Sequence, residues 1–468
     1  MVSGRTQAIQ TRGPALAGAV LAVLSACALK EPPRRADVQQ AALPGLATPD
    51  AWQSAAATGA VGDDWLASFG DPRLDALVVE ALANNPDLKI AAARVEKAAA
   101  YVDGAGAGLL PQVSAIGNVS GKNTSSGTLD FAGVFASWEL DLWGKVRAGE
   151  ASAGEQLLSA RLEELYARQS LAAMVARAWF LATEARLQKG IADEAVTAST
   201  RLVDLARDRL RVGIGNDYEV SAAEASLATY RDAAEQLGLV QRQAAQAIET
   251  LVGRYPSAEL EIPPALPALP GPVPAGLPSE LLERRPDVIA AERRVAAAFY
   301  RVEEIKAARL PSISLTGSFS SLSSDLVVLK ERDDPVWGFG GRATVPLYLG
   351  GSLQAEVAVR TAEQKEAVAA YGRAAANAFA DVESALSATF ALQTRRPLLE
   401  RAVSENQRAL DLAETRYRVG SDDLRAVEQQ QLRLFGAKSA LVRVDSEQFV
   451  QRVNLHLALG GSFGAGGS

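Results

Sequence analysis

The sequence predicts a mainly α protein with a small β part, built from two copies of one long helical hairpin, each copy carrying two strands. Three observations support this. First, the 468-residue chain repeats itself at an offset of 200–207 residues. "NNPDLKIAAARVEKA" (84–98) falls on "RRPDVIAAERRVAAA" (284–298), "LLPQVSAIG" (109–117) on "RLPSISLTG" (309–317), and "RLRVG" (209–213) on "RYRVG" (416–420). The order and spacing hold along the chain and the period far exceeds that of a solenoid, so each half is a folding unit. Second, residues 146–212 and 352–419 are rich in Ala, Leu, Glu and Arg, and as helices each would run ~100 Å, far beyond the ~11–12 residues of an average helix. Third, four short segments alternate apolar and polar residues with the period of two that strands require.

The elements follow in order. The first 27 residues carry Arg5 and Arg12, the apolar run "ALAGAVLAVL" and then "SAC", the plan of an export signal over 1–26. The apolar run is too short to span a bilayer, which takes ~20 residues. "LSAC" (24–27) resembles a bacterial lipobox, so Cys27, the only cysteine, is the expected site of a covalent lipid. Ala28 after it, rather than Asp, points to the outer membrane. Residues 27–70 form the lipidated, extended N-terminal segment. The first repeat, 71–253, reads as a helix over 72–108, strands over 112–120 and 131–142, the long helix 146–212, a turn at "VGIGN", and a helix over 217–253. The proline-rich stretch 254–278 cannot be helical and serves as a connector. The second repeat, 279–460, reads as a helix over 279–309, strands over 312–320 and 336–348, the long helix 352–419, a turn at Gly420-Ser421-Asp422, and a helix over 422–459. A glycine-rich tail, 461–468, ends the chain. Along 368–390 the apolar residues Val368, Tyr371, Ala375, Phe379, Val382, Leu386 and Phe390 step by three and four, a coiled-coil seam that needs partner rods.

The strands raise the membrane question. Ile313, Leu315, Gly317 and Phe319 lie on one face of their segment, with serines and Thr316 on the other. Trp337, Phe339, Ala343, Val345 and Leu347 share a face, as do Val134, Ala136, Trp138, Leu140 and Leu142, opposite Ser137, Glu139 and Asp141. After Cys27 no apolar run reaches 18 residues, so a membrane crossing could only be a closed barrel. Bacterial barrels start near eight strands, and four cannot close one. The chain is therefore expected to oligomerise. A trimer would supply a twelve-stranded transmembrane β-barrel continued by a tunnel of twelve helical rods, an α-barrel. The loops 121–127 and 321–335 are polar and would face outward.

Composition narrows the rest. A net charge of −7 with no basic cluster argues against nucleic acid. One histidine and one cysteine leave almost no material for a Cys/His metal site. No GxxxxGK[ST], HExxH or GxSxG motif is present, and no enzyme, cofactor or metal is expected.

The ordered set "DDWLASFGDPRLDALVVEALANNPDL" (63–88), "LLPQVS", "WELDLWGKVRA" (138–148), "RYRVG", "RRPDV" and "ARLPSISL" resembles the outer membrane factors, the TolC-like family, and most of all its lipid-anchored branch from resistance–nodulation–division efflux systems. The resemblance spans roughly residues 63–460. It implies a homotrimeric outer-membrane channel, passive in itself, that serves as the exit duct of a tripartite pump for small molecules. A periplasmic adaptor and an inner-membrane transporter would be its partners. The periplasmic tips that meet the adaptor fall on Arg211, Val212, Gly213 and Ile214, and on Arg418, Val419, Gly420 and Ser421. The iris that closes the tunnel falls on Tyr417 and its acidic partner Glu219. The family's aspartate ring is not matched: Gln429 and Ala222 occupy its positions, leaving Asp422, Asp423 and Glu428 as nearby substitutes. Two alternatives share the fold, an outer-membrane conduit for type I protein secretion and one for metal efflux. A third, of another class, is a non-conducting structural trimeric lipoprotein.

Overall fold

A computed structural model describes residues 29–45, 49–54, 57, 59, 61–62, 64–118, 130–323 and 333–461. Cys27, the loop 121–127 and most of 321–335 lie outside them, as does the tail from 462 on. In chain order the elements are α1 (Arg35–Ala42), a 3₁₀ turn (Ala67–Phe69), α2 (Pro72–Asn84), α3 (Pro86–Gly106), β1 (Gln112–Asn118), β2 (Asp130–Leu140), α4 (Lys145–Arg211), α5 (Asp217–Leu251), α6 (Pro278–Arg284), α7 (Pro286–Ala307), β3 (Ser312–Ser323), β4 (Asp333–Thr344), α8 (Ser352–Arg418) and α9 (Leu424–Ala458).

The duplication extends to helix length: α4 and α8 have 67 residues each, α5 and α9 have 35 each. Two expected helices differ from prediction. Periodicity alone predicts one helix over 72–108 and one over 279–309, but each is broken at a proline. Pro86 and Pro286 force the residue before them out of the helical region. Asn85 and Arg285 accordingly have ψ of 128° and 118°. A new helix starts at once, since proline suits the first helical position, and Asn85 assists by accepting from the Asp87 N–H at 2.8 Å.

Four helices end in the same way. Gly213, Gly253, Gly420 and Gly460 adopt φ of 79°, 80°, 78° and 69°. At each, the glycine N–H and the following N–H bond back to carbonyls of the last turn, as with Gly213 to Leu210 and Ile214 to Arg209, or Gly420 to Tyr417 and Ser421 to Arg416. This is the Schellman cap, whose left-handed residue is free of strain only as glycine.

By compactness the chain forms two units, each drawing on both repeats. The first comprises the described parts of 1–45 with 93–161 and 290–373. It holds a four-stranded antiparallel sheet in the order β1-β2-β3-β4, so the central pair β2·β3 joins the repeats and β1 and β4 are the outer strands. Below the sheet, α4 and α7 pack through small residues: the Ser152 and Ser159 hydroxyls donate to the carbonyls of Ala297 and Ala290 at 2.9 and 3.1 Å. The N-terminal segment is tied down here, with Arg35 Nε 2.7 Å from Glu292 and Lys30 Nζ 2.9 Å from Glu303. A side chain at Gly372 would meet the Ala42 carbonyl at 2.8 Å, so glycine is what lets α1 lie against α8.

The second unit comprises 46–92, 162–289 and 374–468 in its described residues. Its main core gathers Trp65, Phe69, Leu74, Val78, Trp179, Phe180, Ile248 and Phe449. Phe180 lies 5.0 Å from Phe69 and 4.8 Å from Phe449, ring centre to ring centre. Trp179 buries its ring and donates its indole N–H to Asp71 at 2.8 Å, while Asp71 also caps α2. The connector is held by Glu249, a buried carboxylate that accepts the N–H groups of Ala258, Glu259 and Leu260 at 2.8–3.0 Å.

Candidate functional site: the interhelical turns and the sheet face

The two turns that join α4 to α5 and α8 to α9 are built from equivalent residues. Asn216 caps α5 by accepting from Glu219 N–H at 2.9 Å; its counterpart Asp423 caps α9 by accepting from Ala426 N–H at 3.0 Å. A second core, of Leu202, Val203, Ala206, Ala223, Leu410, Ala413, Tyr417, Leu424 and Val427, holds the helix ends together behind the turns.

The predicted tip residues are exposed in both turns: Arg211, Val212, Gly213, Ile214, Arg418, Val419, Gly420 and Ser421. Val419 is 73% and Val212 69% accessible, high for apolar side chains. Tyr218, 70% accessible, adds an aromatic ring to this surface that sequence reasoning passed over.

Tyr417 and Glu219 do meet. The phenol donates to Glu219 Oε2 at 2.9 Å, with Tyr417 fully buried. Burial, then the hydrogen bond to and charge of Glu219, push the phenol up to about 12, so it stays protonated at physiological pH. The other predicted carboxylates do not join this contact. Asp423 caps its helix, Asp422 accepts from the Asp423 N–H at 3.0 Å, and Glu428 accepts from the Ser226 hydroxyl at 2.8 Å. Gln429 is exposed.

The structure adds a residue. Arg209, 8% accessible, lays its guanidinium 4.5 Å from the Tyr417 ring centre. Its Nη1 donates to the Tyr417 carbonyl at 2.7 Å and Nη2 to the Ile214 carbonyl at 3.3 Å. Cation over ring and charged donor to carbonyl are both favourable when shielded from water. The signal for Arg209 was present in the sequence as an asymmetry. Tyr417 faces a turn that reads "RLRVGIGNDYE", whereas the second turn reads "RYRVGSDDLRA". Gly215 and Glu219 of the first are Asp422 and Ala426 in the second. A side chain at Gly215 would sit 2.9 Å from Leu210 N and 3.1 Å from Arg209 Cβ, so only glycine leaves Arg209 in its seat. Arg416, the counterpart of Arg209, is exposed.

The sheet has one apolar face. Register pairs Val113 with Ala136, Trp138 with Leu315, Val134 with Phe319, Gly317 with Phe339 and Phe319 with Trp337. Cross-strand partners point the same way, so these residues form a continuous band. The other face is mostly polar, carrying Ser114, Ser137, Glu139, Ser314, Thr316, Ser318 and Arg342, with Ile116 and Phe135 among them. Phe339 is 86% and Trp337 70% accessible. Among the described residues no helix is long and apolar enough to cross a membrane, and no cluster of His, Cys, Asp and Glu could hold a metal ion.

A duplicated long-helix hairpin bearing an open sheet with a wide apolar face defines the class of outer-membrane channels. Comparison with known proteins places the chain within it. Residues 77–254 and 277–461 match the family "Outer membrane efflux protein", and the chain belongs to that family. It is 32% identical over 441 residues to the pyoverdine export outer membrane protein OpmQ of Pseudomonas aeruginosa, covering 90% of this chain and 92% of the relative. It is 31% identical to the toluene efflux pump outer membrane protein TtgC of Pseudomonas putida, covering 85% of each. Among solved structures, the outer-membrane channel OprN aligns with a TM-score of 0.80 at 27% identity, covering 90% of this chain and 99% of that one. The open state of the Neisseria gonorrhoeae MtrE outer membrane channel aligns at 0.78 and 27%, covering 93% and 98%.

Proposed function

We propose that this outer-membrane efflux channel works as a homotrimer. It would be the passive exit duct of a tripartite pump whose energy comes from an inner-membrane transporter coupled through a periplasmic adaptor. The observation that carries this is the apolar band on a four-stranded sheet with two outer strands. Apolar area of this size is unfavourable in water, at roughly 25 cal/mol per Å². Unpaired strand edges are intolerable in lipid. Both demands are met when β4 of one copy pairs with β1 of the next until the sheet closes. Three copies supply twelve strands, within the range of bacterial barrels. The polar face, with its serines, Glu139 and Arg342, then lines water. The exposed valines and Ile214 of the turns suit a protein partner, the adaptor, and Cys27 would add a lipid anchor.

The cargo is proposed as small molecules. Relatives of similar identity are named for pyoverdine, for toluene and, at 28–29%, for cation efflux, so kinship alone does not single out a cargo class. The test is reconstitution of the full-length, lipidated protein in planar bilayers. Discrete ion conductance from the oligomer is expected. An oligomer that inserts yet passes no current supports the structural-lipoprotein alternative instead.

A further inference from the structure

Glu219 Oε2 has two donors near it, and only one is bonded. Tyr417 Oη holds it at 2.9 Å. Arg209 Nε stands 3.8 Å from the same oxygen, outside hydrogen-bond range. That Nε is buried and has no hydrogen-bond partner. The two side chains of the pair are only 9% and 17% accessible, so water is a poor substitute for either donor. A buried donor left unmade is costly and calls for an explanation.

We propose that Arg209 is a positioning residue that takes over the Glu219 carboxylate when Tyr417 releases it, so that the contact opens by exchange of donors and not by simple breakage. The proposal rests on the reading of Tyr417–Glu219 as an iris contact. If Tyr417 swung away with no successor, a shielded carboxylate would lose its hydrogen bond, a strongly unfavourable state. With Arg209 beside it, a movement of roughly one ångström puts Nε on Oε2 at an ordinary hydrogen-bond distance and satisfies both groups. The rest of the guanidinium is set up to allow this pivot. Nη2 holds the Ile214 carbonyl loosely at 3.3 Å, while Nη1 grips the Tyr417 carbonyl at 2.7 Å. Arg209's main chain does not move with it, because its carbonyl already accepts from Ile214 and Gly215 N–H at 3.0 and 3.1 Å. Only one of the two turns has the device, since the second has alanine, Ala426, where the first has Glu219.

The test uses the full-length assembled protein with Tyr417→Phe, Arg209→Met and the double variant. Bilayer conductance of Tyr417→Phe tests the iris reading: it should spend several-fold more time in its higher-conductance level. A solved structure of Tyr417→Phe tests the exchange: the Nε–Oε2 separation should fall from 3.8 Å to hydrogen-bond range. In thermal unfolding, the double variant should lose more than the sum of the two singles, because Arg209 is the donor that remains for Glu219 in Tyr417→Phe. The exchange is overturned if Glu219 instead turns to solvent in Tyr417→Phe with Arg209 unmoved, or if the single losses simply add. Unchanged conductance with a shortened Nε–Oε2 contact would reject the iris reading and leave the exchange standing. Should Tyr417→Phe not assemble, Glu219→Gln replaces it: Arg209→Met must then cost less when combined with Glu219→Gln than in the natural protein.

Discussion

At the scale of single residues, two buried ionisable groups occupy the same place in the two repeats and behave oppositely. Glu249 and His456 are 207 positions apart, the local offset of the duplication. Glu249 is fully used, its carboxylate accepting from three backbone N–H donors. Glu249→Ala should destabilise the protein by about 2–4 kcal/mol, since hydrogen bonds to a charge count for about 1.5–3 kcal/mol each but are partly replaced by water. Glu249→Gln should recover part of the loss in the same thermal or denaturant titration. His456 is buried and stacks on Trp65 with ring centres 5.6 Å apart, and neither ring nitrogen has a hydrogen-bond partner. Burial, then the nearby Arg452, push its pKa down to about 3. Its folded pKa lies below the ordinary ~6.5, so the unfolded chain binds the proton first. The stability tied to the neutral ring is whole above pH ~6.5 and declines as pH falls toward 3. Between pH 7 and 4.5 the loss should be about 2–3 kcal/mol. His456→Leu should lose correspondingly less over that interval, and equal acid sensitivity of the two proteins would refute the assignment.

The contact between Tyr417 and Glu219 was legible through the resemblance. Arg209 was not. In "RLRVG" it looks like its counterpart in "RYRVG", and what separates them lies outside the motif, at Gly215 and Glu219. Asp422 and Asp423 lie near the turn, but each is spent on a local backbone N–H: Asp423 caps the next helix at Ala426 and Asp422 accepts from Asp423.

At the scale of elements, the lengths and order of the helices were readable because periodicity over 35 or 67 residues leaves little room for another period. The breaks at Pro86 and Pro286 escaped that pattern, because apolar spacing continues across them while the backbone does not. Strand ends differ in both directions: β3 runs on to Ser323 through serines that lose the apolar alternation, β4 begins earlier, at Asp333, and stops at Thr344 rather than 348, and β2 stops at Leu140 rather than 142. The four helix caps make an ordered prediction. A side chain at Gly213 meets nothing within 4 Å, so Gly213→Ala incurs only the left-handed backbone penalty, about 1–2 kcal/mol. At Gly253 and Gly460 the added carbon would lie 3.1 Å from Asn84 Cβ and 2.9 Å from the Arg284 carbonyl, again at equivalent places in the two repeats. Chemical denaturation should therefore rank Gly460→Ala as more damaging than Gly213→Ala. The reverse order would contradict the packing described.

At the scale of the whole molecule, one principle connects the sheet and the family. A membrane crossing must satisfy every backbone polar group, and four strands ending in two unpaired edges cannot do so alone. The alternation of "SISLTGSFS" and the apolar residues of "VWGFGGRATV" already implied a lipid-facing band. The number of copies was an inference from strand count and closure, since nothing in a single chain states how many partners complete its edges. Replacing Phe339 on the apolar face by Arg should cost about 2–4 kcal/mol if it sits near the bilayer midplane, whereas Ser318→Arg on the water-lined face should leave insertion nearly unchanged. Yield of membrane-inserted, protease-resistant protein reads the difference.

The most direct measurement is the copy number of the detergent-extracted, full-length protein by native mass spectrometry, taken on the same preparation that is assayed in bilayers. The account predicts three chains per conducting particle and no conduction from single chains. A conducting single chain, or a single chain stable in water without detergent, would contradict it.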